Sequence, residues 1–340
     1  VSQTLMFREA AEASAVIAQQ FEANAHIIAA VAASLRALKP RAVVTLARGS
    51  SDNAATYAKY LIETRLGILT SSAAPSISSV YSVKADLKGT LLIATSQSGK
   101  SPDIVTSLEA AKDAGAFTIA FVNAIDSPLA KGADVALPLH AGPEKSVAAT
   151  KSYLATVAGL ATLVAAWSED TDLAAGMKDL PALLSKAWEL DWSIAVETLI
   201  SARDLYVIGR GVGFGGAQEA ALKFKETCGL HAEAFSAAEV RHGPMALARG
   251  GFPALVLSQN DETRPGIRET VEALVKSGAS VLLAGIEDPR TLNLPTLEAH
   301  PALQPILFLQ SFYRFAEQLS RARGMNPDSP PHLNKVTETL

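Results

Sequence analysis

The chain has 340 residues, 49% of them hydrophobic, enough for two domains of ordinary size that each bury a core. A formal net charge of −4 and the lack of any basic stripe argue against a nucleic-acid partner. The single cysteine, Cys228, excludes an internal disulfide framework and a cysteine-based zinc cluster, and fits a reducing, cytoplasmic setting.

Taken in order, residues 3–38 read as one or two amphipathic helices, with Phe7, Ile17, Phe21, Ile27, Ile28, Val31 and Leu35 on the apolar side. Arg8, Glu9 and Glu12 interrupt any signal-peptide pattern. A strand is predicted over 42–47, then a turn at Arg48-Gly49-Ser50 and a helix to about Thr64 that Ser51 or Asp52 would cap. The next strand, 90–95, runs into Ser96-Gln97-Ser98-Gly99-Lys100-Ser101-Pro102 and a helix over 103–114. Strands over 117–122 and 134–139 flank a helical turn at 127–131. The alanine-rich run 153–167 is too short for a confident membrane span and reads as a buried helix, and the charged stretch 168–181 reads as a linker. Strands then recur at 205–208, 254–257 and 281–284, with helices at 216–228, 264–276 and 303–323, before a tail rich in Pro, Asn and Asp. Strands alternating with helices at this spacing imply parallel sheets covered on both faces, a doubly wound α/β fold. The expected organisation is a helical arm over 1–38, domains over 39–180 and 181–325, and a tail over 326–340.

Acid–base chemistry gathers in residues 205–247. A strand and a glycine-rich turn lead there into a helix on which Lys223 and Glu226, three apart, share a face. His231, Glu233, Glu239 and His242 follow closely. Each is individually more ordinary than catalytic; together they mark a site.

The two halves repeat. Ala47-Arg48-Gly49 matches Gly209-Arg210-Gly211, and Ser96-Gln97 matches Ser258-Gln259, both at an offset of 162 residues. The first copy places hydroxyls and Lys100 at a helix N-terminus, which suits a phosphate. The second continues into Asp261 and Glu262, which would repel an anion. The first domain is therefore expected to bind phosphate and the second to carry the chemistry.

ARGSSDN at 47–53, TSQSG at 95–99, GPEKSVAATK at 142–151, ALKFKETCGLHAEAF at 221–235, EVRHGPMAL at 239–247 and HLNKVTETL at 332–340 resemble the SIS (sugar isomerase) family. The nearest likeness is to the isomerase half of glucosamine-6-phosphate synthases. The resemblance implies two duplicated SIS domains, an active site covered by the C-terminal tail, and a homodimer in which a histidine reaches across from the neighbouring subunit. It places the sugar phosphate against Ser51, Ser96, Gln97, Ser98 and Ser101, with Val147 in the same pocket. Glu226 matches the proton-transfer base, Lys223 lies beside it, His242 matches the ring-opening histidine, and Lys335 matches the lysine that forms a Schiff base with the open-chain ketose. Carboxylate, imidazole and amine are the groups that moving a proton between C1 and C2 requires. Neither metal nor cofactor is expected, and no membrane.

Two departures bear on the substrate. Lys100 stands where the synthases have an acidic residue and Arg48 where they have a small one, adding positive charge near the phosphate. The synthases also carry a glutaminase domain that these residues do not include. The resemblance therefore leads to an amino-sugar-phosphate deaminase/isomerase that interconverts glucosamine 6-phosphate with fructose 6-phosphate and ammonia. The alternatives are another aldose–ketose isomerase, an isomerising transaminase-like protein and a non-catalytic phosphosugar sensor. A dinucleotide site at Gly211, Gly213 and Gly216 is a weaker reading, because the helix that follows bears Lys and Glu.

Overall fold

The computed structural model describes residues 3–335, which form two compact units. One holds residues 15–144, 151–177 and 334–335; the other holds residues 3–14, 145–150 and 178–333. The first is called the first-sheet unit and the second the second-sheet unit.

Two helices open the chain, α1 (Leu5–Ala11) and α2 (Ala13–Leu38). They do not form one arm: α1 packs in the second-sheet unit, whereas α2 from Ala15 onward belongs to the first-sheet unit. Polar anchors explain the division. Gln20 donates to the Ala155 carbonyl at 3.0 Å and Asn24 to that of Pro138 at 2.8 Å, both within the first-sheet unit. At the other end, the carboxylate of Asp328 accepts from the N–H groups of Leu5 (2.7 Å) and Met6 (2.8 Å), matching the positive end of α1.

The first-sheet unit continues with β1 (Val43–Leu46), α3 (Ser50–Leu66), β2 (Thr70–Ser72), α4 (Ser76–Ser79), β3 (Leu91–Ser96), α5 (Pro102–Asp113), β4 (Phe117–Val122), α6 (Pro128–Gly132), β5 (Val135–Pro138) and α7 (Lys151–Ser168). Its five strands are parallel in the order β2-β1-β3-β4-β5. The central strands are apolar runs because a parallel sheet buries both faces. Leu46, Leu92, Ala94, Ile104, Leu108 and Ala120 form one core layer. The run expected to be a buried helix is α7, almost wholly buried, and no helix among the described residues is long and apolar enough to cross a membrane.

The stretch read as a linker is α8 (Thr171–Glu189). Asp170 caps it by accepting from Leu173 N at 2.9 Å. Leu173, Met177, Leu180, Leu184 and Ala187 are buried at helical spacing, so the charges that suggested a linker are only the wet face.

The second-sheet unit adds α9 (Val196–Leu199), β6 (Asp204–Gly209), α10 (Phe214–Cys228), β7 (His231–Ser236), β8 (Pro253–Leu257), α11 (Arg264–Lys276), β9 (Ser280–Ala284), β10 (Leu292–Leu294) and α12 (Gln304–Ala322). Its order is β10-β9-β8-β6-β7, also parallel. Pairing β6 to β10 with β1 to β5 in sequence gives the same topology in both sheets. The expected duplicated, doubly wound α/β architecture is thus present. In each sheet the order reverses direction between two neighbouring strands, β1 and β3 in one and β6 and β8 in the other. Open α/β sheets form a crevice beyond the carboxyl ends of strands at such a switch point.

Candidate active site

In the first-sheet unit, the turns after β1 and β3 flank the switch point. Thr95 Oγ1 donates to the Ser51 carbonyl at 3.1 Å, tying the two turns together. This brings Ser51 into one neighbourhood with Ser96, Gln97, Ser98 and Ser101, all of them partly exposed. The loop between β3 and α5 depends on Gly99, which sits at φ 62°, and a Cβ there would lie 2.1 Å from Ser127 Oγ and 2.9 Å from Val122 Cγ2. Ser96 Oγ accepts from Gly99 N at 3.0 Å and Ser98 Oγ from Lys100 N at 3.3 Å. A hydroxyl that accepts in this way keeps its own proton for an anion. Ser101 is the N-cap residue of α5 but makes no capping bond with its side chain, and Pro102 opens the helix.

The expected cap of α3 is not formed by either candidate. Gly49, at φ 56°, takes the cap position, and Ser51 and Asp52 lie inside the first turn. Asp52 is partly buried; burial raises its carboxyl above the ordinary value, against the opposing effects of the Ser72 hydroxyl and Arg48. The positive charge expected at Arg48 has a partner. Its guanidinium donates through Nε (2.9 Å) and Nη2 (2.8 Å) to one oxygen of Asp103, a carboxylate with no exposed side-chain surface. A buried acid in the first turn of α5 needs a cation, and Arg48 supplies it. Lys100 remains an exposed cation at the loop.

The matching loop of the second sheet is closed on itself. Gln259 Nε2 donates to the Arg210 carbonyl (2.8 Å), Asp261 Oδ2 (2.8 Å) and Thr263 Oγ1 (3.0 Å), and Asn260 N donates to Gln304 Oε1 at 2.6 Å. Asp261 also accepts from Thr263 N at 2.9 Å. Donors that face a ligand in an open loop are used internally here.

Two of the residues expected to carry chemistry, Lys223 and Glu226, lie on α10 of the second-sheet unit. Its core side locks against α12: Phe224 packs edge-on to Phe312 with ring centroids 5.0 Å apart, and Ser320 Oγ donates to the Thr227 carbonyl at 2.6 Å. Lys223 is completely buried. It pairs with Glu219, one turn earlier, at 3.3 Å, and more closely with Glu226. Glu219 is also fully buried and accepts from Tyr313 Oη at 3.2 Å, whereas the Glu226 side chain keeps 21% of its surface exposed. Burial alone would push the Lys223 amine down; the two carboxylates more than reverse this and hold it above the ordinary lysine value. Lys223 is therefore a fixed cation rather than a base. The sequence reading overlooked Glu219, although its spacing of four from Lys223 was the available signal.

The other members of the expected cluster are dispersed. His231 and Glu233 lie two apart on β7, an edge strand that among the described residues pairs with β6 alone, and both residues are exposed. Glu239 begins a short 3-10 turn and is exposed as well. His242 follows that turn, its N–H bonded to the Glu239 carbonyl at 2.9 Å, and its imidazole is exposed with no side-chain hydrogen bond among the described residues. Tyr206 Oη donates to the Pro244 carbonyl at 3.0 Å, pinning this loop to the sheet. Cys228 is buried and its thiol is pushed up to about 11 by burial, consistent with an inert packing role. Val147 is partly exposed, its N–H directed to the Asp328 carbonyl at 3.4 Å.

Lys335 closes the described chain. Its Nζ lies 3.1 Å from Glu144 Oε2, a carboxylate with no exposed side-chain surface, in the first-sheet unit. Glu144 also accepts from Ser152 N (3.2 Å) and Ser152 Oγ (2.5 Å) at the start of α7. The remainder of the C-terminal motif, residues 336–340, lies outside the described residues.

The sequence profile of the SIS domain matches residues 38–166 and 198–288, one segment for each sheet. The chain belongs to the SIS family. Its SIS halves are 33% identical, over 89% of the chain, to a protein from Symbiobacterium thermophilum named glutamine–fructose-6-phosphate aminotransferase (isomerizing), of which they cover 52%. The chain thus spans about half the length of the curated relatives it matches. A crystal structure from Silicibacter pomeroyi DSS-3, named a presumed phosphosugar isomerase, superposes with a TM-score of 0.92 at 38% identity, covering 96% of this chain and all of that one. The C-terminal domain of glucosamine-fructose-6-phosphate aminotransferase from Francisella tularensis superposes at 0.87 with 24% identity, over 97% of this chain and 99% of that one, a likeness of fold.

Proposed function

We propose that this SIS protein is an amino-sugar-phosphate isomerase/deaminase that interconverts glucosamine 6-phosphate and fructose 6-phosphate plus ammonia. The observation that carries the reading is on α10: a buried cation, Lys223, held between two carboxylates of which only Glu226 reaches solvent. A carboxylate fixed in this way is placed to move a proton between adjacent carbons while the cation steadies its charge. Ser51, Ser96, Gln97, Ser98 and Ser101 hold the phosphate, with Val147 against the sugar, so that binding energy far from the reacting carbons orients them. His242 opens the ring. Its exposed imidazole, unbonded among the described side chains, supports a role toward a neighbouring copy in a homodimer. Lys335 forms the imine with the open-chain ketose. The relatives' names, an isomerising aminotransferase and a phosphosugar isomerase, support the same class of substrate.

The test is ammonia release from glucosamine 6-phosphate by the purified protein beside a Glu226→Gln variant. Release that disappears in the variant supports the reading. Folded protein that releases no ammonia yet interconverts another aldose and ketose phosphate replaces it with a plain isomerase. A sugar phosphate that raises the melting temperature without turnover replaces it with a sensor.

A further inference from the structure

We infer that Glu144 is the proton acceptor that converts Lys335 from a stored ammonium into a nucleophilic amine; this rests on the imine role of Lys335 proposed above. An ammonium has no free electron pair, so a proton must leave Nζ before it attacks a carbonyl. The acceptor at hand is Glu144 Oε2, 3.1 Å away and wholly enclosed. Moving the proton turns a charged pair into a neutral one, so no isolated charge is left buried during the step. Ser152 holds the carboxylate through its N–H to Oε1 and its hydroxyl to Oε2, the oxygen that faces Lys335, and the hydroxyl can turn from donor to acceptor once Oε2 is protonated.

The overall step balances. Lys335 ammonium and the ketose carbonyl give a protonated imine and water. The Nζ–C bond forms, the C–O bond breaks, and two protons pass from Nζ to the departing oxygen. Glu144 takes up each in turn and finishes as the carboxylate it began as. The same carboxylate keeps the lysine in place between turnovers.

The experiment is reductive trapping: protein, fructose 6-phosphate and sodium cyanoborohydride, with the adduct located by peptide mass spectrometry, for the unmodified chain and the Glu144→Gln, Glu144→Asp and Lys335→Met variants. The expected result is an adduct on Lys335 in the unmodified chain and none in Lys335→Met. Glu144→Gln should label about 100-fold more slowly, the low end of what a positioned proton acceptor contributes, with unchanged half-saturation by the sugar. Glu144→Asp, which restores the acceptor on a shorter arm, should recover part of the rate. Labelling of Glu144→Gln at the full rate overturns the inference, as does an equal loss in both Glu144 variants that tracks a lowered melting temperature. An unmodified chain that never labels at Lys335 refutes the underlying imine reading instead, separately from anything Glu144 does.

Discussion

Replacing Lys223 by methionine isolates the charge balance on α10. The substitution keeps the length and apolar stem of the side chain and removes only its cation, leaving Glu219 fully buried and Glu226 mostly so. Removing one partner of a buried ion pair costs about 3–5 kcal/mol, because the remaining charge has no solvent to turn to. The Tyr313 hydroxyl still donates to Glu219 at 3.2 Å, which argues for the lower end. At roughly 2–4 °C per kcal/mol for a unit of this size, a loss of about 3 kcal/mol lowers the melting temperature by roughly 10 °C. The decisive measurement is a double-mutant cycle by urea melts at neutral pH. Glu219→Gln in the Lys223→Met background should recover about 1–3 kcal/mol, since the amide removes the stranded charge and keeps an acceptor for Tyr313. A single-variant cost below about 1 kcal/mol, or a cycle with no coupling, would refute the argument that these groups are held as a charged cluster.

Further expectations concern other parts of the molecule. Gly99→Ala combines a left-handed backbone with a side-chain overlap against Ser127, so it should cost about 2–4 kcal/mol in denaturant melts and weaken sugar-phosphate binding; a melt like that of the unmodified chain refutes the steric account. Ser98→Ala should raise KM with kcat little changed, and an unchanged KM counts against the phosphate site. His242→Gln should slow turnover of ring-closed substrate while leaving phosphate binding intact, and equal losses of both sink the ring-opening role. The Cys228 thiol, pushed up to about 11, should resist alkylation in the native protein at pH 8 and react once the chain unfolds. Its folded value is the higher one, so its stabilising effect is complete below the unfolded value near 9 and is lost as pH rises toward 11; a Cys228→Ala control whose melts fall equally over that range would assign the loss to other groups.

Much of the fold is legible because parallel strands buried on both faces have no alternative to a continuous apolar run. The run predicted over 117–122 is β4 residue for residue, and the helix predicted over 264–276 is α11. What the sequence hides are elements whose residues look polar locally. The strand β2, Thr-Ser-Ser, has two exposed residues and is a strand only because β1 offers an edge to pair with. The edge strand β7 carries His231 and Glu233 on its exposed side, so a row of solvent-facing polar residues resembled a cluster of catalytic ones. Helix α8 looked like a linker because charges precede it at Glu169 and Asp170 and recur at Asp172, Lys178 and Asp179, although its buried leucines are spaced along one face.

The site was legible to a different degree, for a physical reason. Lys223 and Glu226 stand out because both lie on one helix, where spacing alone brings side chains together. Groups that meet through tertiary folding leave no such trace: Asp103 reaches Arg48 across 55 positions of chain, and Glu144 reaches Lys335 across 191. In both pairs the carboxylate has no exposed side-chain surface and the cation keeps some. That asymmetry is what burial demands, since a short acid is enclosed by its own turn while a long basic side chain can reach in from the surface. It follows that the signal for such partners is not the cation, which sequence reading readily finds, but an acid placed in a loop or first turn among apolar residues. Glu144, within GPEKSVAATK, and Asp103, after Ser101-Pro102, are both acids of that kind, and each holds a cation whose partner the sequence did not show.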